Sequence, residues 1–307
     1  MNKRLHPSDY LISIIIVFLL VCVAGAFFIG FEIGHARAGE KYSAILAQKE
    51  AAQSNEAYNQ QHLVSFYHTI YEPGRKFQDR WFERLNELER PGTASDHSAV
   101  MAELAKFAED RHKELMNAST PAVSPLLGEA HRHLLESLSL FGEAAKAFEQ
   151  RAKAIEPIQL AAELKLDRRT REAQALYLRA QETFYRAIAR WPSADNPDAA
   201  NEKWNGQTPL ALDQWRKMGL NAKNAAIAAM LANANRFVPL LPQDLTVRVD
   251  EMIMLGQADR LNLADVSAIV SMLLDTNAAR AGDFAERKDK WYAAERLPLL
   301  PFFYEAR

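Results

Sequence analysis

Any chemistry in this chain would have to come from a sparse set of residues, and the histidines come first. Glu109 and His112 show the Glu-x-x-His spacing, which sets a carboxylate and an imidazole one turn apart on one helix face. A di-iron bundle needs two such pairs plus two further glutamates on facing helices, and only one pair is present. His131 and His133 lie two apart and diverge on a helix, while His62 and His68 are six apart. The spacing reads as surface histidines, with Glu109 and His112 the metal candidates to follow. Asp250 and Glu251 are adjacent, so their carboxylates diverge and read as solvated charge. Gly-x-Ser-x-Gly and His-Glu-x-x-His are absent, and Gly206 and Gly219 stand outside any phosphate-binding loop. No cofactor is implied, and the expectation is a non-catalytic protein.

Aromatic residues offer a second kind of site. Trp204 lies in a polar linker and Trp215 just beyond it, where they could line a groove between subdomains. Near the end, the segment LPLLPFFYEAR carries Phe302, Phe303 and Tyr304. Such a segment either presents a partner surface or docks into a hydrophobic groove of its own domain.

These residues hang on a chain whose dominant stretch is apolar. Residues 11–31, LISIIIVFLLVCVAGAFFIGF, contain no charge and hold the single cysteine, Cys22. About 20 helical residues cross a hydrocarbon core roughly 30 Å thick, so this run is expected to span a bilayer. It continues past the Ala24-Gly25-Ala26 match to a cleavage site through Phe27, Phe28 and Ile29, which favours an uncleaved signal-anchor. Lys3 and Arg4 precede it, which places residues 1–10 inside and the body outside the cytoplasm of a cell membrane, single-pass. The lipid bilayer is thus one expected partner, a protein partner or self-association another. Lys+Arg (37) nearly balance Asp+Glu (39), which argues against nucleic acid.

Residues 32–71 read as a helical stalk, with Phe66, Tyr67, Ile70 and Tyr71 marking entry into a packed body and Pro73-Gly74 ending the helix. Residues 72–191 read as a helical bundle. Asp96 caps one helix. Ser124-Pro125 opens another, with Leu127, Ala130, Leu134, Leu138, Phe141, Ala145 and Phe148 on one face. A third long helix is expected from Pro157 to Trp191. Residues 192–209 form a linker, after which Thr208-Pro209 opens a helix reaching Phe237. Asn262 is expected to cap the helix that follows it, within a C-terminal helical subdomain over 210–307. Without period-two alternation, the fold class is all-α: one transmembrane helix, a stalk, a multi-helix bundle and a smaller helical subdomain. The function expected is a membrane-anchored extracytoplasmic interaction module, a scaffold, sensor or assembly factor of the envelope. The alternative is a helical ligand- or metal-binding protein or enzyme with a pocket near 192–209.

Overall fold

The computed structural model describes residues 57–90, 96–191 and 209–304. The apolar run 11–31, most of the expected stalk and the linker with Trp204 lie outside the described residues. Among the described residues no helix is long and apolar enough to cross a membrane. They are all-helical, with no strand and one isolated antiparallel bridge between Ala211 and Asp265.

Helix α1, Gln60–Phe66, starts at Asn59, whose side chain accepts from the His62 amide at 2.9 Å. It runs through a π-helical turn, Tyr67–Tyr71, straight into α2, Glu72–Glu89. The expected stop at Pro73-Gly74 therefore does not occur. Proline lacks an N–H and clashes with the carbonyl four residues back, and the wider π turn just ahead of it takes up the misfit. Gly74 serves a different need. A Cβ there would lie 2.6 Å from Leu134 Cδ2, so glycine lets α2 approach the central helix closely.

Helix α3, His97–Met116, is capped by Asp96, which accepts from Ser98 and Ala99 amides at 3.0 and 3.3 Å. Helix α4, Pro125–Arg151, buries the expected face of leucines and phenylalanines. Proline opens it, but Ser124 does not cap it. The Ser124 hydroxyl instead donates to the Ala57 carbonyl, with His62 Nδ1 at 3.4 Å, and fastens the start of the described chain to the bundle. The single helix expected after Pro157 is two: α5, Pro157–Leu166, and α6, Arg168–Ala189. Asp167 breaks them by accepting from the Thr170 amide at 3.0 Å, a cap that competes with helix continuation. Helix α4 packs between α3 and α6, with α2 against α3 and α5. Trp81, Phe77 and Phe141 fill the centre, with Trp81 and Phe141 ring centroids 4.5 Å apart. Each such ring contributes on the order of 2–3 kcal/mol by burial.

The C-terminal helices add a second apolar cluster around Trp215, Ile227, Leu245, Val249, Val266 and Ile269. The expected helix from Thr208-Pro209 begins later and divides at Met218-Gly219 into α7, Leu212–Lys217, and α8, Leu220–Asn233. Helix α9, Pro242–Met254, packs on α8 and on the short helices α10, Gln257–Arg260, and α11, Val266–Asp275. Asp265, not Asn262, caps α11 by accepting from the Ala268 amide at 2.9 Å. Helix α12, Asp283–Trp291, covers α9. The chain then returns to the first cluster, where Leu297, Leu300 and Phe303 are buried among bundle residues. This returning strap ends in a 3₁₀ turn, Pro301–Phe303. The described residues form one compact unit, with Phe237 touching both clusters.

Candidate functional site

An arginine sits where the apolar stripe of α2 would call for a leucine. Tyr71, Arg75, Gln78, Trp81, Leu85 and Leu88 recur at three and four residues, and all are buried. Arg75 retains 4 % exposure. Taking a guanidinium out of water is costly unless it is compensated, so its partners matter. Nη1 donates to Gln78 Oε1 at 3.2 Å and Nη2 to Asp79 Oδ1 at 3.3 Å, while Nε is buried without an acceptor. An arginine carries five N–H donors, so this one is under-used.

The surroundings are phenolic. Tyr177 donates to Gln78 Oε1 at 3.2 Å, and Tyr185 donates to Gln243 Oε1. Gln78 Nε2 in turn reaches the Val238 carbonyl at 3.0 Å, which ties α2 to the segment between α8 and α9. Burial pushes the Tyr71, Tyr177 and Tyr185 hydroxyls well above their usual range, so they stay protonated. For Arg75, burial works to lower its pKa, but Tyr177, Tyr71 and Asp79 outweigh it and the net direction is up. Asp79 is drawn up by desolvation, with Arg75 opposing. Nearby Asp244 is pushed up to about 6 by burial, although the Phe284 and Leu241 amides, both at 3.1 Å, favour its ionised form.

Arg75 opens onto a cleft of about 160 Å³ lined by Tyr67, Tyr71, Glu72, Lys76, Asp79, Leu241 and Phe302. Four structural parts meet there: the π turn, the first turns of α2, the start of α9 and the strap. Phe302 stacks towards Tyr67 and Tyr185 with centroids 5.3 and 5.9 Å apart. The strap is held by Leu299 N donating to Gln60 Oε1 at 2.9 Å and Gln243 Nε2 to the Phe302 carbonyl at 3.3 Å. A wider open groove lined by Lys76, Asp79, Arg80, Glu83, Glu103 and Phe107 shares Lys76 and Asp79 with the cleft.

The residues singled out from sequence fall elsewhere, except one. Glu109 is engaged by Lys113 at 2.7 Å and Lys146 at 3.5 Å, and His112 sits half-buried on the same helix. Among the described residues no three His, Cys, Asp or Glu side chains gather as metal ligands. Trp215 is fully buried in the C-terminal cluster, where its indole donates to Asp250 Oδ1 at 2.6 Å. Lys223 bridges both Asp250 oxygens at 2.9 and 3.0 Å, and Tyr292 donates to Oδ2 at 2.5 Å. Asp250 is therefore not a solvated charge but a saturated hub joining α7, α8, α9 and the end of α12. Phe303 is buried and Tyr304 is 48 % exposed, while Phe302 lines the cleft. Sequence reasoning missed Arg75, although one feature marked it: a charge on an otherwise uncharged helical stripe.

Comparison of the chain with protein-family models, with curated proteins and with solved structures yields no match.

Proposed function

We propose that this chain is a membrane-anchored, extracytoplasmic, non-catalytic helical interaction module, and within that class a sensor. Its apolar run 11–31 supplies the anchor by length and hydrophobicity. The observation that carries the sensor role is the Arg75 cleft: a buried cation with unspent donors, open to solvent between parts from distant points of the chain. A buried, under-compensated charge lining a concave site supports a reading of ligand recognition. The π turn that accommodates Pro73 adds support, because such turns are frequent at functional sites. It is built into the first described helical stretch, on the side of the chain that leads back to the apolar run. A ligand seated on Tyr67 and Tyr71 would thus touch the segment best placed to report to the membrane.

Protease added to spheroplasts tests the placement. The expected outcome is digestion of the body in spheroplasts and its protection in inverted vesicles. The reverse pattern overturns the outside assignment. In-cell crosslinking from Tyr304 or the open α2–α3 groove tests the interaction role, with a defined protein adduct or a homodimer expected. Purely monomeric, adduct-free protein under all conditions counts against it.

A further inference from the structure

We propose that the Arg75 cleft binds a small zwitterionic amino acid, with its carboxylate on Arg75 and its ammonium on Asp79. This inference rests on the sensor reading above and names its ligand class.

Three observations converge on this class. The first is charge. The cleft is lined by two cations, Arg75 and Lys76, and two anions, Glu72 and Asp79. Lys76 and Glu72 satisfy each other at 2.9 Å near the rim. Deeper in, the buried Arg75 guanidinium meets the half-exposed Asp79 carboxylate at 3.3 Å, one charge of each sign. A dianion such as phosphate would leave a net negative, partly desolvated site, whereas a molecule with one charge of each sign leaves it balanced. The second is donor and acceptor capacity. Arg75 has N–H groups to spare, including the buried Nε. A carboxylate has about four lone-pair sites, and Asp79 keeps 48 % of its side chain exposed, so an ammonium can reach it beside its existing partners. Tyr67, Tyr71 and Phe302 line the same cleft and offer π-density to a cation bound there. The third is size. A cavity of about 150 Å³ accommodates one benzene ring, so about 160 Å³ admits a small or branched aliphatic side chain but not a peptide. Leu241 and Phe302 supply the apolar wall that such a side chain needs.

Calorimetry on the full-length chain in nanodiscs tests this, with each common L-amino acid as a separate probe. The expected result is saturable binding of at least one small apolar amino acid, L-valine being the reference probe. Isovalerate, which lacks the ammonium, and isobutylamine, which lacks the carboxylate, are each expected to bind at least tenfold more weakly. Asp79→Asn removes the ammonium partner at an exposed position and should lower valine affinity at least tenfold with unchanged circular dichroism. Arg75→Lys should do the same, and Phe302→Leu, which keeps the strap apolar, serves as a folded variant with altered side-chain preference. Isovalerate binding as tightly as valine would overturn the zwitterion while leaving a ligand sensor in place. Binding unaffected by Asp79→Asn overturns the proposed ammonium site in the same way. No heat with any amino acid, isovalerate or inorganic phosphate would sink the ligand class and the sensor reading together.

Discussion

At the scale of single residues, the chain places three charges where periodicity expects apolar side chains or solvent. Arg75 faces a cleft, Asp250 is saturated and Asp244 is buried against backbone amides. Their consequences differ. Asp250 holds Lys223 in a half-dry environment, so Asp250→Asn leaves that ammonium without its anion. Unfolding in urea should show a loss of about 3 kcal/mol, partly recovered in the Asp250→Asn, Lys223→Met double variant. Asp244 behaves oppositely with pH. Its folded pKa of about 6 lies above the ordinary 3.8, so the folded state binds the proton more tightly. The stability it contributes is present in full below the unfolded value and is lost as pH rises towards 6. The difference in unfolding free energy between the native chain and Asp244→Asn should therefore narrow by on the order of 3 kcal/mol from about pH 4 to about pH 7. A flat difference would show that the carboxyl titrates normally. None of these three roles was visible in spacing alone. Arg75 and Asp250 sit on stripes whose burial depends on helices far away in sequence, so local pattern could place their faces but not their partners.

At the scale of elements, the long amphipathic helices were legible because their apolar positions repeat over many turns, as in α4 from Leu127 to Phe148. The breaks were less legible. Asp167 ends one helix and caps the next within a single residue, and Met218-Gly219 divides an alanine-rich stretch that has no proline to mark the change. Pro73-Gly74 misled in the other direction, since the π turn before it lets the helix pass through. The C-terminal helices end by a shared device. Among the described residues the non-glycine positions with positive φ are Asn235, Asn262 and Asn277, each just past a helix. After each, the next amide returns to the carbonyl five residues back at 2.9 Å: Arg236 to Leu231, Leu263 to Ala258 and Ala278 to Leu273. All three asparagines are exposed, so substitutions there act through the backbone. Replacement by glycine should raise stability by about 0.5 kcal/mol per site, and replacement by alanine should lower it by about 1 kcal/mol. Thermal unfolding of the single variants gives the order Gly above Asn above Ala if the left-handed backbone governs. Glycine below asparagine would mean that the side chain, not the dihedral, is what each turn needs.

At the scale of the whole body, the two apolar clusters are joined by Phe237, by Gln78 reaching Val238 and by the strap that carries Leu297, Leu300 and Phe303 back to the bundle. The expected separation of a bundle from a C-terminal subdomain can be probed directly. Phe303→Ala removes a fully buried ring from the bundle side and should cost about 3–5 kcal/mol. If the clusters are coupled, hydrogen exchange will speed up in α4 and in α9 alike. Faster exchange confined to α1, α2 and the strap would show that the C-terminal helices hold their own stability. The all-α class followed from the absence of alternation, whereas this closure did not, because a seven-residue apolar segment has no periodicity that could reveal its destination.

The strap has one more consequence, for how the protein is made. Synthesis delivers the bundle helices first, yet a set of their core contacts waits for Leu297, Leu300 and Phe303. Until the ribosome has passed Phe303, the groove of Tyr67, Tyr71 and Phe184 has no cover and presents aromatic surface to whatever is nearby. A nascent chain that lacks the strap therefore exposes aromatic surface that the finished fold covers. The strap is the latch that closes this part of the bundle.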